Sequence, residues 1–167
     1  MKLAGGGWRQ CRECLVCDAR NGAFVMALAP QSTSTRRTHP SNAPRVLIVE
    51  DELLVAWHLE SLAREQNLEV CGLVPDGDGA IEQATDLDAD LILMDIRLAG
   101  RMDGIEAARR IRAQRDTPII FITAHGDPAT RAKIEQLLPG MPVLAKPITA
   151  AVLKEAIDSV MKLSGKL

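Results

Sequence analysis

Five short runs of β-branched and leucine-type residues, separated by segments of helical period, constrain this chain more than any other feature of its sequence. The runs are Val46–Val49, Val70–Val74, Leu91–Met94, Ile119–Ile122 and Val143–Leu144. Their near-continuous apolar character suits strands covered on both faces rather than strands with one wet face. Between them, Val55, Leu59 and Leu62 recur at helical spacing, as do Ile105, Ala108 and Ile111. In the last segment Val152, Leu153, Ala156, Ile157 and Val160 fill one broad stripe. Asp127-Pro128 sets a capping carboxylate before a proline suited to a first helical turn, Pro139-Gly140 ends that helix, and Thr149 is placed to cap the last one. Strands alternating with helices over about 120 residues predict an α/β fold, a parallel sheet with helices on both faces.

Four of the five runs end in a polar residue of a particular kind. Glu50, Asp51 and Glu52 follow the first run, Asp95 the third, Thr123 the fourth, and Lys146-Pro147 the fifth. Open parallel sheets bind ligands beyond the carboxyl ends of their strands, at the switch in strand order. All four groups therefore belong on one rim. In a 2-1-3-4-5 order the first and third strands are neighbours, which sets Asp51 and Asp95 about 5 Å apart. Unit like charges ~4 Å apart repel by roughly 4 kcal/mol even at an effective dielectric near 20. A divalent, oxygen-seeking cation relieves such a cluster, and Mg2+ keeps waters that leave room for a phosphoryl oxygen. Thr123, one strand away, needs only a short side chain to reach that oxygen. Lys146, two strands or roughly 10 Å away, needs its long stem.

These residues carry a resemblance. Val-Leu-Ile-Val-Glu50-Asp51-Glu52, Leu-Ile-Leu-Met-Asp95-Ile-Arg-Leu, Asp103-Gly104-Ile-Glu-Ala-Ala, Ile-Phe-Ile-Thr123-Ala124 and Lys146-Pro147 occur in one order and spacing. Together they make Arg45–Leu163 similar to the CheY-like receiver domains of response regulators, of the single-domain type. The resemblance implies a flavodoxin-like, doubly wound sheet of order 2-1-3-4-5. It also implies two-component signalling, in which a sensor histidine kinase or histidine phosphotransfer protein passes a phosphoryl group to Asp95. On the family pattern Asp51 and Asp95 bind Mg2+ directly, with Mn2+ as the substitute ion. Glu50 acts mainly through water, and the Arg97 backbone carbonyl is a further ligand. Thr123, Ala124 and Lys146 hold phosphoryl oxygens, with Thr123 and Lys146 assisting the transfer. The bond before Pro147 is expected to be cis.

The family's switch runs through Thr123 to the face built from the fourth helix, fifth strand and fifth helix, where a downstream protein or a second phosphorylated copy would bind. Three positions depart from the common pattern. Ala99 stands where proline is frequent, the loop to Asp103-Gly104 is one residue longer, and Val143 replaces the usual aromatic switch residue. Arg97 and His125 occupy positions that tune acyl-phosphate lifetime in this family.

Outside that stretch the sequence says less. Residues 1–44 carry six Lys/Arg and two acids, whereas residues 45–167 carry fourteen and twenty. The acidic domain gives no reason to expect nucleic-acid binding, and two Phe, two Trp and no Tyr leave few stacking platforms. Gly5-Gly6-Gly7, the Gln31–Arg37 polar stretch, Pro40 and Pro44 predict a flexible leader over residues 1–44, and residues 164–167 a short tail. Cys11, Cys14 and Cys17 have metal-ligand spacing with His39 as a distant fourth ligand, but an unstructured leader is the simpler expectation. Four cysteines in this arrangement do not make a secreted framework, Gly22–Ala29 is preceded by acids and followed by Pro30, and no run is long enough to span a bilayer. The expected location is the cytoplasm. His58 is expected as a packing residue of the first helix, Trp57 as a partly covered helix residue, and Arg109, Arg110, Arg112 and Arg115 as a solvated face.

Two other functions compete. A Mg2+-dependent phosphatase with an aspartyl-phosphate intermediate would place a second Asp where Arg97 stands. A degenerate receiver serving only as a binding module would lack one of the key residues, and none is missing. The leading expectation is a phosphoacceptor that assists its own chemistry without being a turnover enzyme, with output through another protein.

Overall fold

A computed structural model describes residues 43–124 and 127–163. The Cys11, Cys14, Cys17 and His39 cluster, most of the 1–44 leader, His125 and the 164–167 tail lie outside the described residues. The described residues form β1 (Arg45–Val49), α1 (Leu53–Glu65), β2 (Glu69–Val74), α2 (Gly77–Asp86) and β3 (Leu91–Asp95). They continue with α3 (Gly104–Gln114), β4 (Ile119–Thr123), α4 (Pro128–Leu137), β5 (Val143–Ala145) and α5 (Ala150–Leu163). The strands make one parallel sheet in the order β2-β1-β3-β4-β5. Among the described residues no helix is long and apolar enough to cross a membrane.

Period-two alternation splits the central strands between two cores. Val46 and Ile48 of β1, Leu91 and Leu93 of β3, and Ile120 and Ile122 of β4 pack with Leu59 and Leu62 of α1 and Leu153, Ile157 and Val160 of α5. Leu47, Val49, Ile92, Met94, Ile119 and Phe121 face the other way, onto α2, α3 and α4. Every side chain named from β1, β3 and β4 is fully buried, which explains why these runs show no polar alternation. Burying each such side chain contributes about 1.5–3 kcal/mol.

Local signals set the helix starts. Asp76, Asp103 and Asp127 cap α2, α3 and α4 by accepting hydrogen bonds from the amides of Gly79, Glu106 and Thr130 at 2.8, 2.7 and 3.0 Å. Pro128 occupies the first turn of α4, and Gly140 beyond its end takes φ +75°. One expectation fails in α5. Val152 is 44% exposed, because the buried stripe runs through Leu153, Ala156, Ile157, Val160 and Met161, and Val152 falls just past its edge.

Candidate functional site

The strand alternation that builds the α1/α5 core also aims the chemistry. Glu50 follows Val46 and Ile48 in steps of two, Asp95 follows Leu91 and Leu93, and Lys146 follows Leu144, which packs on the same side. Two backbone bonds carry the ladder past the strand ends. The Glu50 amide donates to the Val74 carbonyl at 2.9 Å, and the Lys146 amide donates to the Thr123 carbonyl at 2.9 Å. The three side chains therefore meet at one point. Lys146 Nζ donates to Glu50 Oε2 at 2.7 Å and to Asp95 Oδ2 at 2.5 Å.

This contact is largely out of water. The Glu50 side chain is 0% exposed, Asp95 7% and Lys146 16%. Burial pushes the Glu50 carboxyl above its usual range, and the Asp95 charge adds to that push, against the bonds it receives from Lys146 and the Glu52 amide. Burial also works against the charge on Lys146, but its bonds to Asp95 and Glu50 outweigh it and hold the ammonium above its ordinary value. The second oxygen of Asp95 is engaged as well, since Oδ1 accepts from the Arg97 backbone amide at 3.0 Å.

Asp51 is exposed at the same rim, and its carboxylate lies with those of Glu50 and Asp95 in a cluster whose nearest oxygens are all within 4.8 Å of one another. Thr123 is buried at the end of β4, one residue beyond the Ile122 that pairs with Asp95, and exposed Ala124 follows it. Val143 opens β5 opposite Phe121, partly buried against the α2/α3/α4 core, and its carbonyl accepts from Arg131 at 3.3 Å. The Lys146–Pro147 peptide is cis. The rim thus gathers Glu50, Asp51, Asp95, Thr123, Ala124 and Lys146, with Arg97 touching Asp95 through its backbone. His58 is exposed on α1, and its Nε2–H donates to the Ile148 carbonyl at 3.1 Å.

Converging oxygen donors, two of them shielded from solvent, are the donor chemistry of a hard divalent cation such as Mg2+. Lys146 supplies one positive charge against three carboxylates, so the set still favours further cation. The residues present fit the ion.

Residues 46–158 match the family model of the response regulator receiver domain. The chain belongs to that family. It is 38% identical over 116 residues to the transcriptional regulatory protein PdtaR of Mycobacterium tuberculosis, covering 68% of this chain and 55% of that one. The chain thus spans about half the length of that curated relative. Among solved structures, the signal receiver domain of a modulated diguanylate cyclase from Desulfovibrio desulfuricans superposes with a TM-score of 0.69 at 36% identity, covering 75% of this chain and 98% of that one. The receiver domain of a sensor histidine kinase from Pseudomonas aeruginosa, solved with magnesium coordinated in its active-site cleft, gives 0.63 at 35% identity, covering 72% and 98%. This receiver therefore has the sheet order and doubly covered architecture that the sequence predicts.

Two contacts at the receiver site escaped sequence reasoning. The first is the direct Lys146–Glu50 bond, because Glu50 reads from sequence as a water-mediated ligand rather than a partner of the lysine. The alternation through Leu144 to Lys146 was the available signal. The second is Gly104, where an added Cβ would lie 1.9 Å from the Asp95 carbonyl oxygen. Asp103-Gly104 at a helix start signals a cap, but nothing local signals that close approach.

Proposed function

We propose that Asp95 accepts a phosphoryl group from the phosphohistidine of a sensor histidine kinase or histidine phosphotransfer protein. The observation that carries this reading is the Asp95 carboxylate itself. It is buried at the rim, held at Oδ2 by Lys146 and at Oδ1 by the Arg97 amide, beside Glu50 and Asp51. In the transfer an Asp95 oxygen forms a bond to phosphorus while the phosphorus–nitrogen bond of the donor breaks. The electron pair of that bond returns to the donor imidazole. Mg2+ held by Asp51, Asp95 and the Arg97 carbonyl, with Glu50 behind them, would neutralise charge on the transferring group.

The remaining work falls to residues of the chain. Lys146 orients the carboxylate beforehand and afterwards offers its ammonium to a phosphoryl oxygen. Thr123 offers a hydroxyl and Ala124 a backbone amide from the neighbouring strand end. Such fixed donors lower the barrier chiefly by positioning and charge stabilisation. Beside Lys146 an apolar groove of about 380 Å³ runs between α1 and the Pro147-Ile148 segment. Leu54, which lines it, is exposed on α1, and Leu53 and Trp57 are exposed elsewhere on that helix, together an apolar resting place for the helices of a phosphodonor.

The receiver unit is taken as residues 45–163, with a leader before it and a tail after it. Phosphorylation would recruit Thr123 and bias the α4–β5–α5 face toward a downstream protein or a second copy, with Val143 in place of an aromatic switch. The Arg97 and His125 side chains would set how long the acyl phosphate lasts. The unit acts as a phosphoacceptor that assists its own chemistry, not as a turnover enzyme. Incubation with acetyl phosphate and Mg2+ should label the parent protein and leave Asp95→Asn unlabelled. Equal labelling of the two would overturn the assignment.

A further inference from the structure

The loop between β3 and α3 carries the Arg97 amide that binds Asp95 Oδ1. Its base is closed by the Gly104 amide, which donates to the Ile96 carbonyl at 2.9 Å. The span between is held from outside. Ala99 forms an isolated parallel bridge with Asp76, the N-cap residue of α2, and Asp76 is itself fixed by its bond from the Gly79 amide. Three residues further on, Met102 lies directly over Gly77, the first residue of α2. A Cβ built on Gly77 would stand 3.1 Å from Met102 Cγ, 3.2 Å from Met102 Cβ and 3.2 Å from Ala107 Cβ. Leu98 and Met102 both join the packing of the α2/α3/α4 core.

We propose that Gly77 and Met102 are positioning residues for the phosphoacceptor. Their contact fixes the β3–α3 loop against the first turn of α2 and thereby keeps the Arg97 amide on Asp95 Oδ1. Gly77 serves because any larger residue there meets Met102 tighter than ordinary van der Waals contact. Only Leu98 lies between Arg97 and the bridged Ala99, two steps or roughly 7 Å of chain at full extension, so little slack absorbs a shift. A carboxylate freed at Oδ1 can rotate, and small misplacements of reacting groups are costly. The inference builds on Asp95 as acceptor, but its test does not depend on phosphoryl transfer.

The test is amide hydrogen exchange at Arg97 in metal-free protein, together with calorimetric Mg2+ affinity. The variants are Gly77→Val, Met102→Ala and the two combined. Each single substitution should speed Arg97 exchange about tenfold, the net worth of one hydrogen bond, while core amides of β1 and β4 keep the parental rate. Mg2+ binding should weaken several-fold in both. The double variant, which trades bulk across the contact, should lie closer to the parent than either single one. If Gly77→Val does not fold, Gly77→Ala gives the same comparison with a smaller push. Parental Arg97 exchange in the single variants would overturn the proposal. So would acceleration shared equally by every core amide, which marks a purely structural role. Acetyl phosphate labelling stays a separate measurement, so failure of either idea leaves the other readable.

Discussion

Asp95 sits between restraints from distant parts of the chain, Lys146 on one oxygen and the Arg97 amide on the other. A lone buried carboxylate would be expensive, and both bonds stabilise its charged form. Gly104 adds a third restraint by proximity, since only a residue without a side chain lets the start of α3 approach the Asp95 backbone. Gly104→Ala forces a methyl group against that carbonyl, and the main chain has to move. The expected cost is about 3 kcal/mol of folding stability, with Asp95 labelling reduced beyond what the lost stability explains. Urea denaturation and acetyl phosphate labelling of the same preparation measure both, and a variant with parental values in each would contradict the account.

At the scale of single elements, α3 shows how a polar face can be more than solvated. Glu106 takes bonds from Arg109 at 2.8 and 2.9 Å and from Arg110 at 2.7 Å, while Arg112 pairs with Asp116 and Arg115 with Asp88. The expected solvated face thus holds for Arg109 and Arg110, which share Glu106, whereas Arg112 and Arg115 are half-buried in separate pairs; exposed pairs of the first kind are each worth little alone. The bonds from Arg109 and Arg110 lower the Glu106 carboxyl from its ordinary 4.5 to about 2. A carboxyl depressed on folding contributes its stability in full above its ordinary value and loses it as pH falls through the depressed one. Carboxyl-carbon NMR should therefore show Glu106 titrating near pH 2, and Arg109→Ala or Arg110→Ala should move the midpoint upward. An ordinary midpoint in the parent would mean that the pairs do not persist in solution.

For the whole molecule, the sheet is the device that assembles the site. Two cores grip the central strands from opposite sides, and the rim they leave at the carboxyl ends collects acids from β1 and β3 with donors from β4 and β5. The cost of crowding Glu50, Asp51 and Asp95 is met partly by Lys146. A cation that binds only this folded arrangement must then stabilise the whole domain. At a concentration about 100 times its Kd, Mg2+ should raise the unfolding free energy by about 2.7 kcal/mol. The gain should shrink in Asp51→Asn, and its absence in the parent would remove the cation from the account. Thermal or urea unfolding with and without Mg2+ decides it.

Sequence alone determined the parts that repeat along the chain. The apolar runs at Val46–Val49, Leu91–Met94 and Ile119–Ile122 specify buried parallel strands, because a strand buried on both faces has no polar alternation to hide. Asp127-Pro128 likewise specifies the start of α4, because capping is settled within one turn. The motif spacing, read with the family resemblance, brought Asp51, Asp95, Thr123 and Lys146 to one rim. Contacts between segments far apart in sequence were decided only in the tertiary structure. The edge of the α5 stripe left Val152 outside, Lys146 reached Glu50 as well as Asp95, and Met102 came to rest on Gly77. Only the Lys146–Glu50 contact had a local signal, the alternation through Leu144, and that signal does not name the partner; each contact depends on how far two packed elements approach one another. That distance is set by the side chains of a whole core rather than by the residues that touch.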